Sequence, residues 1–259
     1  MVVDVGNTDI IFALHDGTDF LSQWRLATNP DHSVEQYYMW IVHMCDHAGC
    51  KVQDIDSVIT SEVVPVVKER LIRCYDKYLN VDPIWVEVST FNGLMDINID
   101  RLEDIGADRL VNSYAARSIF GNGLIIVDFG TATTFDIVDV SGVYVGGVIA
   151  PGVKLSMNAL SCAASRLPQI ELRRPEMVVG KDTVSAMLSG IYWGYVSMVD
   201  GMCARIRKAQ VLSEDSSNMQ IIATGGLSSL FSNDIDGIYK VDQDLTIKGL
   251  VFLYNVLAK

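Results

Sequence analysis

Asp4-Val5-Gly6-Asn7-Thr8 and Asp128-Phe129-Gly130-Thr131-Ala132-Thr133-Thr134 follow one pattern. Each puts an Asp at the end of a short apolar run, then a Gly that permits a tight turn, then small hydroxyl or amide side chains. That order suits an anion-binding hairpin, in which bare backbone N–H groups and hydroxyls meet phosphate oxygens. The carboxylate can hold a cation, directly or through water. Taken singly, an Asp-x-Gly turn is equally a strand exit with the Asp capping its own loop. Its repetition points to two similar halves serving one nucleotide.

A second kind of chemistry is written in Gly106-Ala107-Asp108-Arg109. Asp108 could serve as a general base toward an acceptor hydroxyl, and the Arg109 guanidinium could hold a substrate carboxylate through both oxygens. The structural alternative is helix capping, with Asp108 complementing the helix dipole and Arg109 paired with Glu103 or Asp104. Thr224-Gly225-Gly226 follows a strand and would let a flat ligand lie on bare backbone, with helix N–H groups beyond it. The bland reading is a turn that needs positive φ. Gly146 to Gly152 reads as a strand running into a Pro-Gly turn, or as a loop that admits a substrate close to the backbone. In Gly180-Lys181-Asp182-Thr183, Thr183 is a candidate helix cap or a hydroxyl presented to ligand. His43, Cys45, His47 and Cys50 invite a metal reading, but Gly49 breaks the helix before Cys50 and no second Cys pair has finger spacing.

The elements that must position these groups alternate in α/β fashion. Val2 to Val5, Ile10 to Leu14 and Phe20 to Leu26 read as strands, Ser33 to Ala48 as an amphipathic helix, Ser57 to Thr60 as a strand and the residues after Pro65 as a helix. Ile84 to Val88 is expected as a strand and Ile105 to Ile119 as a helix. The second half repeats the scheme. Strands are expected at Leu124 to Val127, Thr133 to Val138, Val143 to Ala150 and Met219 to Ala223. Helices are expected at Gly152 to Ala163, Val184 to Lys208, Leu227 to Phe231 and Leu245 to Leu257. The division expected is residues 1–118, residues 119–244, and a closing helix 245–259 that could return to the first half.

With 259 residues, 49% hydrophobic and 20% charged, the chain is long enough for a sizeable core in one or two domains. A net charge of −12 and a pI of about 4.6 speak against nucleic acid or an anionic membrane as a partner. There is no basic, apolar leader pattern and no membrane-length apolar run. Five cysteines without a framework spacing fit a reduced, cytoplasmic protein.

In this order the motifs resemble the type III pantothenate kinase family, of the acetate and sugar kinase/Hsp70/actin superfamily. The resemblance rests on the Asp4–Thr8 turn, Gly106–Arg109, Asp128–Thr134, Gly146–Gly152, Gly180–Thr183 and Thr224–Gly226. It implies two ribonuclease-H-like halves with a cleft between them, a homodimer, and ATP-dependent phosphorylation of pantothenate at the head of coenzyme A synthesis. It further implies that Asp4, Val5, Gly6, Asn7, Thr8, Asp9, Ile10 and Ile11 line the ATP phosphates and that Thr131 contacts ATP. Gly225 and Gly226 are added to that nucleotide set from their turn. Asp108 would be the proton acceptor, and Gly106, Ala107, Asp108 and Arg109 with Thr183 would hold pantothenate. Asp128 would bind potassium or ammonium, while magnesium accompanies ATP. The segment before Gly106 departs from the pattern: Ile99 stands where many members carry an aromatic residue. Two other readings stay open at this level, an ATP-binding accessory protein without catalysis and a kinase for another small alcohol.

Overall fold

The computed structural model describes residues 1–163, 168–210 and 219–258. Within them lie two five-stranded mixed sheets, one in each of two compact units. The first unit comprises residues 1–94, 100–115 and 245–259; the second comprises 95–99 and 116–244.

In the first unit, β1 (Val2–Val5), β2 (Asp9–His15) and β3 (Phe20–Ala27) form an antiparallel meander. β4 (Ile59–Glu62) and β5 (Ile84–Trp85) join in parallel, giving the order β3-β2-β1-β4-β5. α1 (Val34–Ala48) starts at a full capping box, with Ser33 accepting from Gln36 N and Gln36 returning to Ser33 N, and it ends on Gly49. α2 (Pro65–Cys74) opens on a proline, whose missing N–H costs nothing at a first helical position. These helices cover one sheet face through Val3, Val5, Ile10, Phe12, Tyr37, Ile41, Val67 and Leu71. α3 (Ala107–Phe120) begins in this unit and runs into the second. α7 (Leu245–Leu257) packs on β1 and β4, and Thr246 Oγ1 donates to Asn112 Oδ1 of α3 at 2.7 Å.

The second unit repeats the first strand for strand. β6 (Leu124–Phe129), β7 (Ala132–Val138) and β8 (Tyr144–Pro151) form the meander. β9 (Gln220–Thr224) and β10 (Ile238–Val241) add in parallel, in the order β10-β9-β6-β7-β8. α4 (Val153–Ala163), the long α5 (Thr183–Gln210) and the single-turn α6 (Ser228–Phe231) complete it. Its core joins Ile125, Val127, Phe129, Phe135 and Ile137 of the sheet to Tyr192, Tyr195, Val196, Val199 and Cys203 of α5.

Several expectations shift. The strand expected to end at Thr60 runs on through Ser61 and Glu62, because pairing with Asp4 and Val5 of β1 holds them in the sheet. The expected strand 84–88 stops at Trp85, and Val88–Phe91 turns instead as a 3-10 helix whose start is tied by Glu87 N to Thr90 Oγ1 at 3.0 Å. β10 escapes a periodicity reading because it is an irregular edge strand, with a register shift between Ile238 and Lys240.

Candidate active site

The Asp4 turn is built by the β1–β2 hairpin. Gly6 N donates to Asp9 O at 3.0 Å, and Thr28 locks the turn from β3's end, its N–H to Thr8 O at 2.8 Å and its hydroxyl to Gly6 O at 2.7 Å. Asn7 and Thr8 are exposed at the tip. Val5 and Ile10 are core residues, so they can offer a phosphate only their backbone. The Asp9 carboxylate pairs with Arg25 at 3.3 Å.

Parallel pairing places Ser61 of β4 in register with Asp4, and Val63 N donates to Val5 O at 3.1 Å. A β-carbon added to Gly106 would stand 3.6 Å from Val63 Cγ1 and 2.5 Å from Asp108 Oδ1. The fold of this unit therefore gathers Asp4, Ser61 and the Gly106–Asp108 turn at the carboxyl ends of two parallel strands, where open α/β sheets bind ligands. The nearby Glu62 is held by Lys68 at 3.2 Å.

Asp108 sits in the first turn of α3, where its Oδ1 accepts the Arg109 N–H at 2.9 Å. Burial raises its carboxyl above the usual carboxylate range, against the lowering by that N–H and by the Arg109 charge. A carboxylate so raised is suited to taking a proton. The expected alternative pairing of Arg109 with Glu103 or Asp104 meets competition, since both carboxylates lie by Arg101, at 3.3 and 3.2 Å.

In the second unit two glycine elements close on the Gly130 turn. Asp128 on β6 is in register with Thr134 of β7 and Thr224 of β9. Gly225 has φ of 86°, and a β-carbon there would overlap Asp128 Oδ1 and come within 2.7 Å of Phe129 N. A β-carbon on Gly152 would overlap Thr131 O and approach Gly130 O to 2.7 Å. Thr131 and Gly226 are exposed beside this turn. The helix after Gly226 is only one turn long, and its Ser228 N–H is spent on Gly225 O at 3.2 Å. The contribution expected from helix N–H groups thus reduces to the bare backbone of Gly225 and Gly226.

Thr183 opens α5 and is exposed, but it is not the cap. Asp182 is, accepting Ser185 N at 2.9 Å, while Ser185 Oγ accepts from Lys181 N and Asp182 N at 3.1 Å. Ile99 belongs to the second unit, 3.9 Å from where a Gly146 β-carbon would lie. His43 and His47 both pack edge-on against Trp24, at 5.2 and 5.3 Å, as surface-helix side chains do. Ser61 is the residue at this strand end that the sequence reading passes over. Its signal is a hydroxyl residue directly before Glu-Val-Val-Pro, just past the apolar run.

Comparison with known proteins gives a consistent picture. The family model of type III pantothenate kinase matches residues 1–205. The type III pantothenate kinase of Caulobacter vibrioides is 42% identical over 263 residues, covering 100% of this chain and 98% of that protein. That of Acidiphilium cryptum is 44% identical over 253 residues, covering 98% and 93%. Among solved structures, component A of the (R)-2-hydroxyglutaryl-CoA dehydratase of Acidaminococcus fermentans superposes with a TM-score of 0.56 at 14% identity, covering 99% and 98% of the two chains. At that identity the likeness is one of fold, an α/β arrangement of two five-stranded mixed sheets with helices.

Proposed function

We infer from its membership of the type III pantothenate kinase family, to which this chain belongs, that it transfers the γ-phosphoryl group of ATP to the primary hydroxyl of pantothenate, the first step of coenzyme A synthesis. The observation that carries the chemistry is Asp108. It is a carboxyl raised by burial and placed in a first helical turn beside Arg109.

Phosphoryl transfer through a loose transition state asks mainly for positioning and charge neutralisation. The chain's own groups divide that work. The Gly6 and Gly130 turns offer backbone N–H groups and the exposed Thr8 and Thr131 hydroxyls to phosphate oxygens. Gly225 makes room for Asp128 Oδ1, and the exposed Gly226 beside it offers bare backbone to a flat group. Arg109 binds the pantothenate carboxylate through its planar fork, with Gly106 and Ala107 beside it in the same unit; the exposed Thr183 hydroxyl is a further pantothenate contact that the family resemblance implies. Asp108 accepts the hydroxyl proton at Oδ as the new P–O bond forms.

Magnesium fits Asp4, a half-buried carboxylate with an in-register buried hydroxyl beside it, and a monovalent ion fits Asp128, whose Oδ1 lies where Gly225 has no side chain. When bound, these cations supply neutralisation of the triphosphate charge. We also propose a homodimer acting in the cytoplasm; among the described residues no helix is long and apolar enough to cross a membrane.

The deciding experiment incubates the purified protein with ATP, magnesium and potassium and follows phosphorylation across pantothenate, sugars and acetate. Pantothenate-dependent ADP release that disappears in Asp108→Asn is expected. ADP release indifferent to pantothenate would reject the assignment.

A further inference from the structure

Ser61 carries a hydroxyl that the fold buries completely, at 0% exposure, and that has no hydrogen-bond partner among the described residues. The direction of its side chain follows from strand alternation. Its neighbour Thr60 faces the layer of α1 and α2, where its hydroxyl meets Tyr75 OH at 3.4 Å. Ser61 therefore points to the opposite face, the one on which α7 packs against β1 and β4 and which is shared by Val63, which adjoins Gly106, and by Asp4, which is in register with Ser61 on β1.

An orphaned buried hydroxyl destabilises a fold, whereas alanine in the same place leaves nothing unsatisfied. A hydroxyl at this point consequently makes sense if its partner arrives from outside the chain. Its place narrows the partner. The adjoining group is a carboxylate at the carboxyl end of a parallel strand, next to a phosphate-type turn, and rotation about χ1 turns the serine oxygen along the sheet without moving the backbone. Magnesium keeps several of its waters, and such waters are strong donors. The second unit repeats the arrangement: buried Thr224 stands in register with Asp128 on the corresponding parallel strand.

We propose that Ser61 is a positioning residue for the divalent cation of the nucleotide, its hydroxyl accepting a hydrogen bond from a water on the ion that Asp4 holds. The inference rests on the reading of Asp4 as the cation-handling carboxylate.

Two measurements test it on the full-length protein. Calorimetric titration of magnesium into protein with ATP should show the half-saturating concentration rising about tenfold in Ser61→Ala, the loss of one charge-assisted hydrogen bond. Nucleotide binding in excess chelator should stay the same. Without ligands, Ser61→Ala should melt higher than the parent by about 2–4 °C, since the orphan is gone. Ser61→Cys, which keeps the shape but accepts weakly, should fall between the two in the titration. An unchanged magnesium titration in Ser61→Ala, or a lower ligand-free melting point, would overturn the proposal. Asp4→Ala separates the failures. If it shifts the magnesium titration while Ser61→Ala does not, only the serine's role falls; if neither shifts it, the assignment of Asp4 falls as well.

Discussion

Asp108 Oδ1 accepts the backbone N–H of the next residue, Arg109, at 2.9 Å, a bond that holds the carboxylate still at the mouth of α3. That N–H and the Arg109 charge favour ionisation, and burial outweighs them. The carboxyl is thereby oriented and made more basic by the same fold.

Replacing Asp108 with Asn should lower kcat by a hundredfold or more, on the order expected for loss of a general base, while ATP binding stays near the parent value. Steady-state kinetics beside nucleotide titration decides this, and a folded Asp108→Asn protein with parental kcat would remove the base role.

The same residue makes a pH prediction. Its folded-state value lies above the ordinary 3.8, so the stability it contributes is present below that value and lost as pH rises through the raised one. At neutral pH the ionised, buried Asp108 therefore costs stability, and Asp108→Asn should melt above the parent at pH 7 but not near pH 3.8. Equal melting points at both values would show that burial exacts no ionisation cost.

Arg109→Lys should raise KM for pantothenate more than for pantothenyl alcohol, which lacks the carboxylate, because one ammonium cannot reproduce the planar fork. Equal losses for the two acceptors would place the carboxylate elsewhere.

Gly225→Ala should impair the Asp128 turn. The residue has φ of 86°, and the added carbon would overlap Asp128 Oδ1. Strain of roughly 1–3 kcal/mol is expected from the backbone alone. Thermal melting and nucleotide titration should both worsen, and parental values in both would show that Asp128 can yield its place.

Activity should need potassium or ammonium, with sodium a poor substitute, and Asp128→Ala should lose both activity and the potassium response. Assays in a Tris background titrated with potassium are the check. Full activity without a monovalent ion would return Asp128 to the role of a turn-capping carboxylate.

Much of this molecule was legible in the chain itself. The Asp-x-Gly turns, the capping residues of α1 and the apolar periods are local signals, carried by neighbours in sequence and by backbone preferences that hold whatever the rest of the fold does. They specify two α/β halves and single out Asp4, Asp108, Arg109 and Asp128. Local signals do not report which strand lies beside which. Ser61 lies beyond its strand's apolar run and becomes part of the sheet only because β1, 57 positions earlier by the Asp4–Ser61 pairing, supplies hydrogen-bond partners. Thr183 has the sequence of a cap, yet Asp182 takes that place because its carboxylate reaches Ser185 N. That Gly225 and Gly152 press on the turn holding Asp128 and Thr131 is likewise a fact of strand register, since nothing in either glycine's own neighbourhood names its distant partner. Residue types determined the chemistry available; only long-range pairing decided which of those residues share a face, because register couples positions that sequence keeps apart.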